Sequence, residues 1–312
     1  MTRKSSPRKP LPSALGPAFT RATAAAEGVG AGRLRGPDIG HPFRGVATRG
    51  APVSIANRCE ALSTKLTGRW WFSHLTAAVL YRIPLPPRFE RVDRPLDVSV
   101  RAPRTPPNGV GYLGHTISEG KTQVLESPPF RVIGPADTWC QLSTVLTRGD
   151  LVAAGDYLLS GNPFDDPRVP LCSLCDLRAA ASRFRGRRGA KKVTWALGRV
   201  RAGVDSRPES LLRLMLVAAG LPEPLIADPT PVDGGRLVLH PDLKLRNWGV
   251  VFEYEGDGHR DRDRWLGDID RYSLLRAAGW EVIQVTANDV FRDRPKFLRR
   301  VFEVLERRGY CG

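Results

Sequence analysis

The chain reads as an α+β protein in three successive parts behind a basic tail. Three observations predict this. The last third alternates helical and strand patterning in the order helix, β-meander, helix, strand, helix. The middle carries short strand-like runs followed by helical patterns, as an α/β unit does. And the front runs as a helix, a Gly turn, a short helix and an extended segment, the order of a small winged-helix unit. The parts are residues 1–17 (a disordered basic tail), 18–94, 95–202 and 203–312.

The front part, 18–94, opens with a helical stretch from Phe19 to Glu27, broken by Gly28-Val29-Gly30. Ala31 to Leu34 starts a second short helical segment that Pro37 limits, and Phe43 to Thr48 is extended. A helix, a Gly turn, a short helix and a strand is the order of a winged-helix-like DNA-binding unit. A longer helical pattern follows from Ala51 to Leu66, then Trp70-Trp71-Phe72. Ser73 is placed to cap a helix from His74 to Tyr81, ahead of Pro84, Pro86 and Pro87.

The middle part alternates over Leu96 to Val100 and is extended and Gly-rich over Val110 to His115. Phe130 to Ile133 reads as a strand, and helices are expected over Asp137 to Thr147 and Asp150 to Leu159. A basic helical linker ends it. Arg185, Arg187, Arg188, Lys191 and Lys192 crowd a Gly-containing turn between two helical segments. Such a turn suits nucleic-acid phosphates, and it equally suits a solvated surface loop.

Composition bounds the partners. Lys and Arg number 48 against 32 Asp and Glu, a net charge of +16 that favours polyanions such as DNA, or serves as a solubilising surface. No apolar stretch is long enough to span a bilayer, and none follows the basic start as a signal peptide would, so a cytoplasmic protein without a membrane partner is expected. The five cysteines are odd in number and scattered, which argues against a disulfide framework. Cys172 and Cys175 form a lone CxxC with no second ligand pair in sequence. The alternative to a zinc site is two small buried apolar residues near a helix start.

The last part carries the chemistry. Ser206 is a plausible N-cap with Glu209 three residues on, as in a capping box, and Leu211, Leu212, Leu214, Met215 and Val217 follow at helical spacing. Strands are expected near Leu225 to Asp228, over Arg236 to Leu245 and over Val250 to Glu255. A helix is expected from Asp268 to Ala278, a strand from Trp280 to Thr286 and a helix from Pro295 to Arg308. If Asn247-Trp248 turns a hairpin, Leu245 faces Val250 and Asp242 faces Glu253, whereas a three-residue loop ending at Gly249 shifts the register by one. Glu255 lies on the same strand face as Glu253. Like charges across a hairpin repel. A divalent cation on Asp242 and Glu253 relieves this, since Mg²⁺ takes one or two carboxylates plus waters and phosphate oxygens.

Glu209, Pro241-Asp242 and Glu253-Tyr254-Glu255, with the segments SRPES, HPDL, FEYEGDGHR, DIDR and AAGWEVIQVTANDV, resemble the PD-(D/E)XK nuclease superfamily. More narrowly, residues 203–312 are similar to its Vsr-like endonuclease branch. The resemblance implies a restriction-endonuclease-like core and phosphodiester hydrolysis with Mg²⁺ or Mn²⁺. Asp242 and Glu253 would be the metal ligands and Glu209 an accessory acid. The superfamily's usual lysine position is Glu255 here, and His259 and Arg271 are candidates to assist in its place. Against these stand plain structural roles: Glu209 as a capping residue, Asp268 with Arg271 as an i,i+3 ion pair, Arg260 to Arg264 as a solvated turn and His240 as a structural residue.

Residues 18–170 resemble the AbiE-type antitoxin family through FTRATAAAEGVGAGRLR, PFRGV, WFSHLTAAVLYRIPLP, GYLGH and FRVIGPADTWCQLS. That implies a winged helix, DNA binding and a partner protein of toxin–antitoxin type. Where related chains carry an acid after Thr-Trp, this one has Cys140-Gln141. The reading is a DNA-binding protein with a metal-dependent endonuclease-like domain. Its alternative is a non-catalytic DNA-binding regulator or antitoxin with an inactive nuclease fold.

Overall fold

A computed structural model describes residues 9–127, 129–256 and 271–312. It is a mixed α+β structure that divides into two compact units, Met1–Thr144 with Asp176–Ala190, and Val145–Cys175 with Lys191–Gly312.

The first unit opens with β1 (Ala18–Thr20), α1 (Arg21–Ala26), β2 (Ile39–Phe43) and β3 (Val46–Arg49), whose strands form the antiparallel sheet β1-β3-β2. Thr20 caps α1 by accepting the Thr23 N–H at 3.0 Å. The second helical segment shrinks to a 3-10 turn at Arg33–Arg35. The stretch expected to be one extended run at Phe43 to Thr48 reverses instead as a hairpin. Gly45 turns it with φ +85°, a conformation that costs glycine little.

Next come α2 (Ile55–Ser63), β4 (Trp71–Phe72), α3 (His74–Leu80), β5 (Leu96–Arg101), β6 (Tyr112–Ile117), β7 (Val124–Ser127), β8 (Phe130–Ile133) and α4 (Pro135–Leu142). Helix α2 begins after Ala51 because Ser54 is its cap and accepts the Asn57 N–H. The five strands order β6-β5-β4-β8-β7, with β4 at the centre, antiparallel to β5 and parallel to β8. This sheet runs across residue 94, where the sequence suggested a domain boundary. Leu96, Val98 and Val100 turn one way with Phe72, Ile55 and Leu62, while Trp71 packs with Ile117 and Ile133. The alternation of β5 therefore sends Asp97 and Ser99 to the opposite face.

Helix α5 (Arg148–Ser160) belongs to the second unit, and two further helices, α6 (Leu174–Arg183) and α7 (Ala190–Leu197), flank the basic turn. The second unit continues with α8 (Arg207–Ala218), β9 (Leu225–Ile226), β10 (Thr230–Val232), β11 (Leu237–Leu239), β12 (Leu243–Leu245) and β13 (Val250–Glu255). They are followed by α9, whose described part is 271–277, β14 (Glu281–Thr286), α10 (Ala287–Phe291) and α11 (Arg294–Arg307). The main sheet orders β14-β13-β12-β9, antiparallel throughout except for the parallel pair β13 and β14. The single strand expected over Arg236 to Leu245 is two. It breaks at His240-Pro241-Asp242, where Pro241 has no N–H to donate, and β11 pairs with β10 in a separate ribbon.

Both faces of the main sheet are covered. Leu243, Leu245, Val250, Phe252, Ile283 and Val285 pack on Leu212 and Leu216 of α8 and on Phe297 and Val301 of α11. Val251 and Val282 pack on Tyr272 and Leu275 of α9. Two-sided cover is what a sheet with a parallel pair needs.

A buried charge network ties α5 to α8. Arg213 Nη2 donates to Asp156 Oδ2 at 3.2 Å and to the Arg199 carbonyl at 2.7 Å, and Nη1 donates to Glu223. Ser210 Oγ and the Arg201 N–H also donate to Asp156, at 2.8 and 2.6 Å. Both ion-pair side chains are 1% exposed. Removing one partner strands the other charge away from water. Arg213→Ala is therefore expected to lower unfolding free energy by roughly 3–5 kcal/mol, measured by denaturant melts. A loss within the ~0.2–1 kcal/mol of an exposed pair would show that this network does not hold the two helices.

Candidate active site

Asp242 and Glu253 lie at the end of the main sheet where β13 outruns β12. The register is Leu243↔Phe252, Lys244↔Val251 and Leu245↔Val250, so the expected pairing of Leu245 with Val250 is present, and Asp242 and Glu253 are the next residues beyond the paired stretch. The turn differs from the expected pair of residues. Arg246–Trp248 form a 3-10 turn, and Gly249 closes it in the left-handed conformation at φ 63°. The strand pairing of β12 with β13 ends at Leu243. The Asp242 carboxylate takes over there and accepts the Tyr254 N–H at 2.7 Å.

Glu253 lies on the α9 face and is 6% exposed. Arg271, at the start of the described part of α9, donates to Glu253 Oε1 through Nε at 3.1 Å and Nη2 at 3.0 Å. Its Nη2 also donates to the His240 carbonyl at 2.6 Å. So Arg271 is drawn into the carboxylate site by a direct charge-assisted contact. Its expected partner Asp268, along with His259 and Arg260 to Arg264, lies outside the described residues. Glu255 is exposed at the end of β13.

Glu209 comes from the first turn of α8. Ser206 caps that helix by accepting the Glu209 N–H at 3.3 Å, and Glu209 Oε2 accepts the Asp205 N–H at 3.0 Å. The capping role expected of Ser206 and Glu209 is therefore present, with the return bond shifted one residue upstream. Glu209 also feels the Asp242 charge. Burial first, and the Asp242 carboxylate next, push its pKa up to about 8.

Three side chains near the site have other work. Lys244 is 2% exposed, bonded to Asp228 Oδ2 at 2.5 Å and Thr230 Oγ1 at 2.8 Å, and lies 4.8 Å from the Trp280 ring centroid. It is a structural cation. His240 Nδ1 donates to the Ala227 carbonyl at 3.0 Å, the structural role weighed for it above. Cys172 is half-buried and Cys175 exposed, so neither is a buried apolar residue.

Of the five basic candidates for nucleic acid, Arg185, Arg188 and Lys191 are exposed. The other two are engaged: Arg187 stacks its guanidinium 5.7 Å from the Phe184 ring centroid, and Lys192 Nζ donates to the Leu146 carbonyl at 2.5 Å.

Among the described residues, one group of three His, Cys, Asp or Glu side chains brings its donor atoms within 4.8 Å of one another, and it is His74, Asp97 and His115 in the first unit. The acids Glu209, Asp242, Glu253 and Glu255 do not form such a triple. The histidine cluster is hard to find in sequence because its members are far apart along the chain. Its signals are faint ones: two of only five histidines, and a charged residue inside the apolar alternation Leu96 to Val100.

No family model matches the chain. It is similar to two uncharacterized proteins of Mycobacterium tuberculosis, MT2308 of strain CDC 1551 / Oshkosh and Rv2248 of strain ATCC 25618 / H37Rv. Each is 27% identical over 183 residues, which is 57% of this chain and 63% of the relative. The match thus spans less than two thirds of those proteins' length. Among solved structures, the crystal structure of RV2827C protein from Mycobacterium tuberculosis aligns with a TM-score of 0.37 and 14% identity, over 71% of this chain and 85% of that one. A likeness of that strength carries no argument about fold or function.

The Glu209 shift has a testable sign. Its folded pKa of about 8 stands above the ~4.3 of an unfolded glutamate. The stability it contributes is present below pH ~4.3 and lost as pH rises through about 8, because the unfolded chain ionises first. In chelator, the melting midpoint of the wild type should fall more between pH 5 and 8 than that of Glu209→Gln. Equal slopes would mean that Glu209 is not held protonated.

Proposed function

We propose that the second unit is a divalent-cation-dependent phosphodiester hydrolase acting on DNA, carried by a core of PD-(D/E)XK, Vsr-like type. The observation that carries this reading is the juxtaposition of Asp242 with Glu253 across the hairpin, with Glu209 close enough for the Asp242 charge to act on it. The donor set is all oxygen, which suits Mg²⁺ or Mn²⁺. Two carboxylates are enough for Mg²⁺, which keeps several waters. Asp242 and Glu253 would hold the ion, and its chemistry there is to activate a water and offset charge on the phosphate. Arg271 holds the Glu253 carboxylate in place through its two-nitrogen contact. Glu209 must give up its proton to face a cation, so it acts as a pH-dependent member of the group. Glu255, exposed at the strand end, is open to a substrate-side water.

The first unit would supply DNA affinity through its winged-helix-like front and the exposed Arg185 and Arg188, and Lys191 of the second unit would add a phosphate contact. No helix among the described residues is long and apolar enough to cross a membrane.

The second reading is a non-catalytic DNA-binding regulator or antitoxin, paired with a toxin-type partner protein. Two observations favour it: Glu253 is already neutralised by Arg271, and Glu255 stands where a lysine usually serves. Supercoiled plasmid with Mg²⁺ or Mn²⁺ separates the two. Nicking that disappears in Asp242→Ala and with chelator is expected. Duplex binding with no cleavage under either metal sinks the hydrolase and leaves the regulator.

The basic turn makes its own prediction. Replacing Arg185, Arg188 and Lys191 by Ala should weaken DNA binding about equally across sequences. It should also flatten the salt dependence by roughly 0.9 in log–log slope for each phosphate no longer neutralised. An unchanged slope in fluorescence anisotropy titrations would assign the turn to plain solvation.

A further inference from the structure

We propose that His74, Asp97 and His115 form a second metal site, for a transition-metal dication of the zinc type, in the first unit. The sheet order brings them together: His74 follows β4 at the start of α3, Asp97 lies on β5 and His115 on β6. His115 Nε2 and Asp97 Oδ1 are 2.9 Å apart. The two imidazole rings stack at 3.9 Å between centroids, with 28° between planes.

The chemistry of the donors sets the class of ion. Two imidazoles and a carboxylate are a zinc-type set, unlike the oxygen-only set of the second unit. Zinc binds such donors at ~2.0–2.2 Å, which places tetrahedral neighbours about 3.3 Å apart. The three donor atoms already lie within 4.8 Å of one another, so a small closure suffices. The ion would take the place of the proton now shared by His115 and Asp97.

The surroundings are arranged as an outer shell. Ser73 Oγ lies 3.0 Å from His74 Nδ1, which leaves Nε2 as the donor. Arg94 Nη1 donates to Asp97 Oδ2 at 3.1 Å, which leaves Oδ1. Thr76 Oγ1 accepts the Asp97 N–H at 2.7 Å and an Arg94 N–H at 3.1 Å. His74 sits at φ 48°, a left-handed conformation that a non-glycine residue keeps only when its surroundings impose it. Gln141 Oε1 helps impose it by accepting the His74 N–H at 2.9 Å. His74 and His115 open onto a cavity of about 180 Å³ lined also by Thr116, Gln141, Thr144 and Arg187. A three-residue site with an open fourth position therefore has room for a water.

The test uses the full chain, stripped with chelator and titrated with Zn²⁺ by calorimetry and with Co²⁺ by visible absorption. One tight equivalent with tetrahedral Co²⁺ bands is expected. His74→Gln and His115→Gln should each lower affinity by more than the ~10–100-fold typical of losing an outer-shell partner. Cys172→Ser with Cys175→Ser should leave the affinity unchanged, as should Asp242→Ala, which separates this site from the CxxC pair and from the carboxylates. Thermal melts check folding. His115, a quarter exposed on β6, serves as the informative variant if His74→Gln does not fold. Wild-type protein that takes up neither ion overturns the proposal, and so does equal uptake by the His74→Gln, His115→Gln double variant. Either result would leave the cluster as a hydrogen-bonded ion pair.

Discussion

Like charges held near one another at the end of a small sheet constrain the second unit more than any other feature. Glu209, Asp242 and Glu253 come from a helix and two strands, and none is more than half exposed. Each is offset differently. Arg271 neutralises Glu253, the Tyr254 N–H binds Asp242, and Glu209 is pushed towards its neutral form. These offsets fix where the helices go. Helix α9 must bring Arg271 to the Glu253 face, and α8 must start at Ser206 with Glu209 turned towards the sheet. The apolar packing on both faces supplies stability in bulk, while the carboxylates specify which helix end meets which strand end.

The other buried ions of this unit follow a separate logic. Lys244 and Asp228, and Arg213 with Asp156, are closed pairs in which each charge meets its opposite and gains further hydrogen bonds, while Arg213 Nε stays buried without one. A closed pair has no charge left to offer a ligand. At the sheet end the sum differs. There Arg271 pairs with Glu253, Asp242 binds a backbone N–H and Glu209 another, within a chain of net charge +16.

What the sequence revealed was local. The hairpin register of Leu245 with Val250 was legible because apolar residues alternate on both strands and only a few residues join them. The start of α8 was legible from Ser206 and Glu209. What was hidden depends on distant pairing. β4 is only Trp71–Phe72, and its partners β5 and β8 begin at Leu96 and Phe130. A two-residue strand carries no periodicity, so the boundary expected at residue 94 fell inside a sheet. The break before Leu243 was written in Pro241, yet the apolar residues on both sides of it read as one continuous strand. Arg271 looked like an i,i+3 partner of Asp268, and only the fold reveals its contact with Glu253.

The same nonlocality explains the histidine cluster. His74, Asp97 and His115 sit on three different elements, and the parallel pairing of β5 with β6 decides that Asp97 and His115 share a face. No motif spacing can encode that. The two sites also differ in kind. One gathers carboxylates that repel until a hard cation or a proton intervenes. The other gathers two imidazoles around a carboxylate already satisfied by Arg94, where attraction and not repulsion is the starting condition. The first already holds a counter-charge in Arg271, and its response to pH runs through Glu209. The second is held by hydrogen bonds, and it gains a metal only if the ion's exchange for the proton between His115 and Asp97 is favourable.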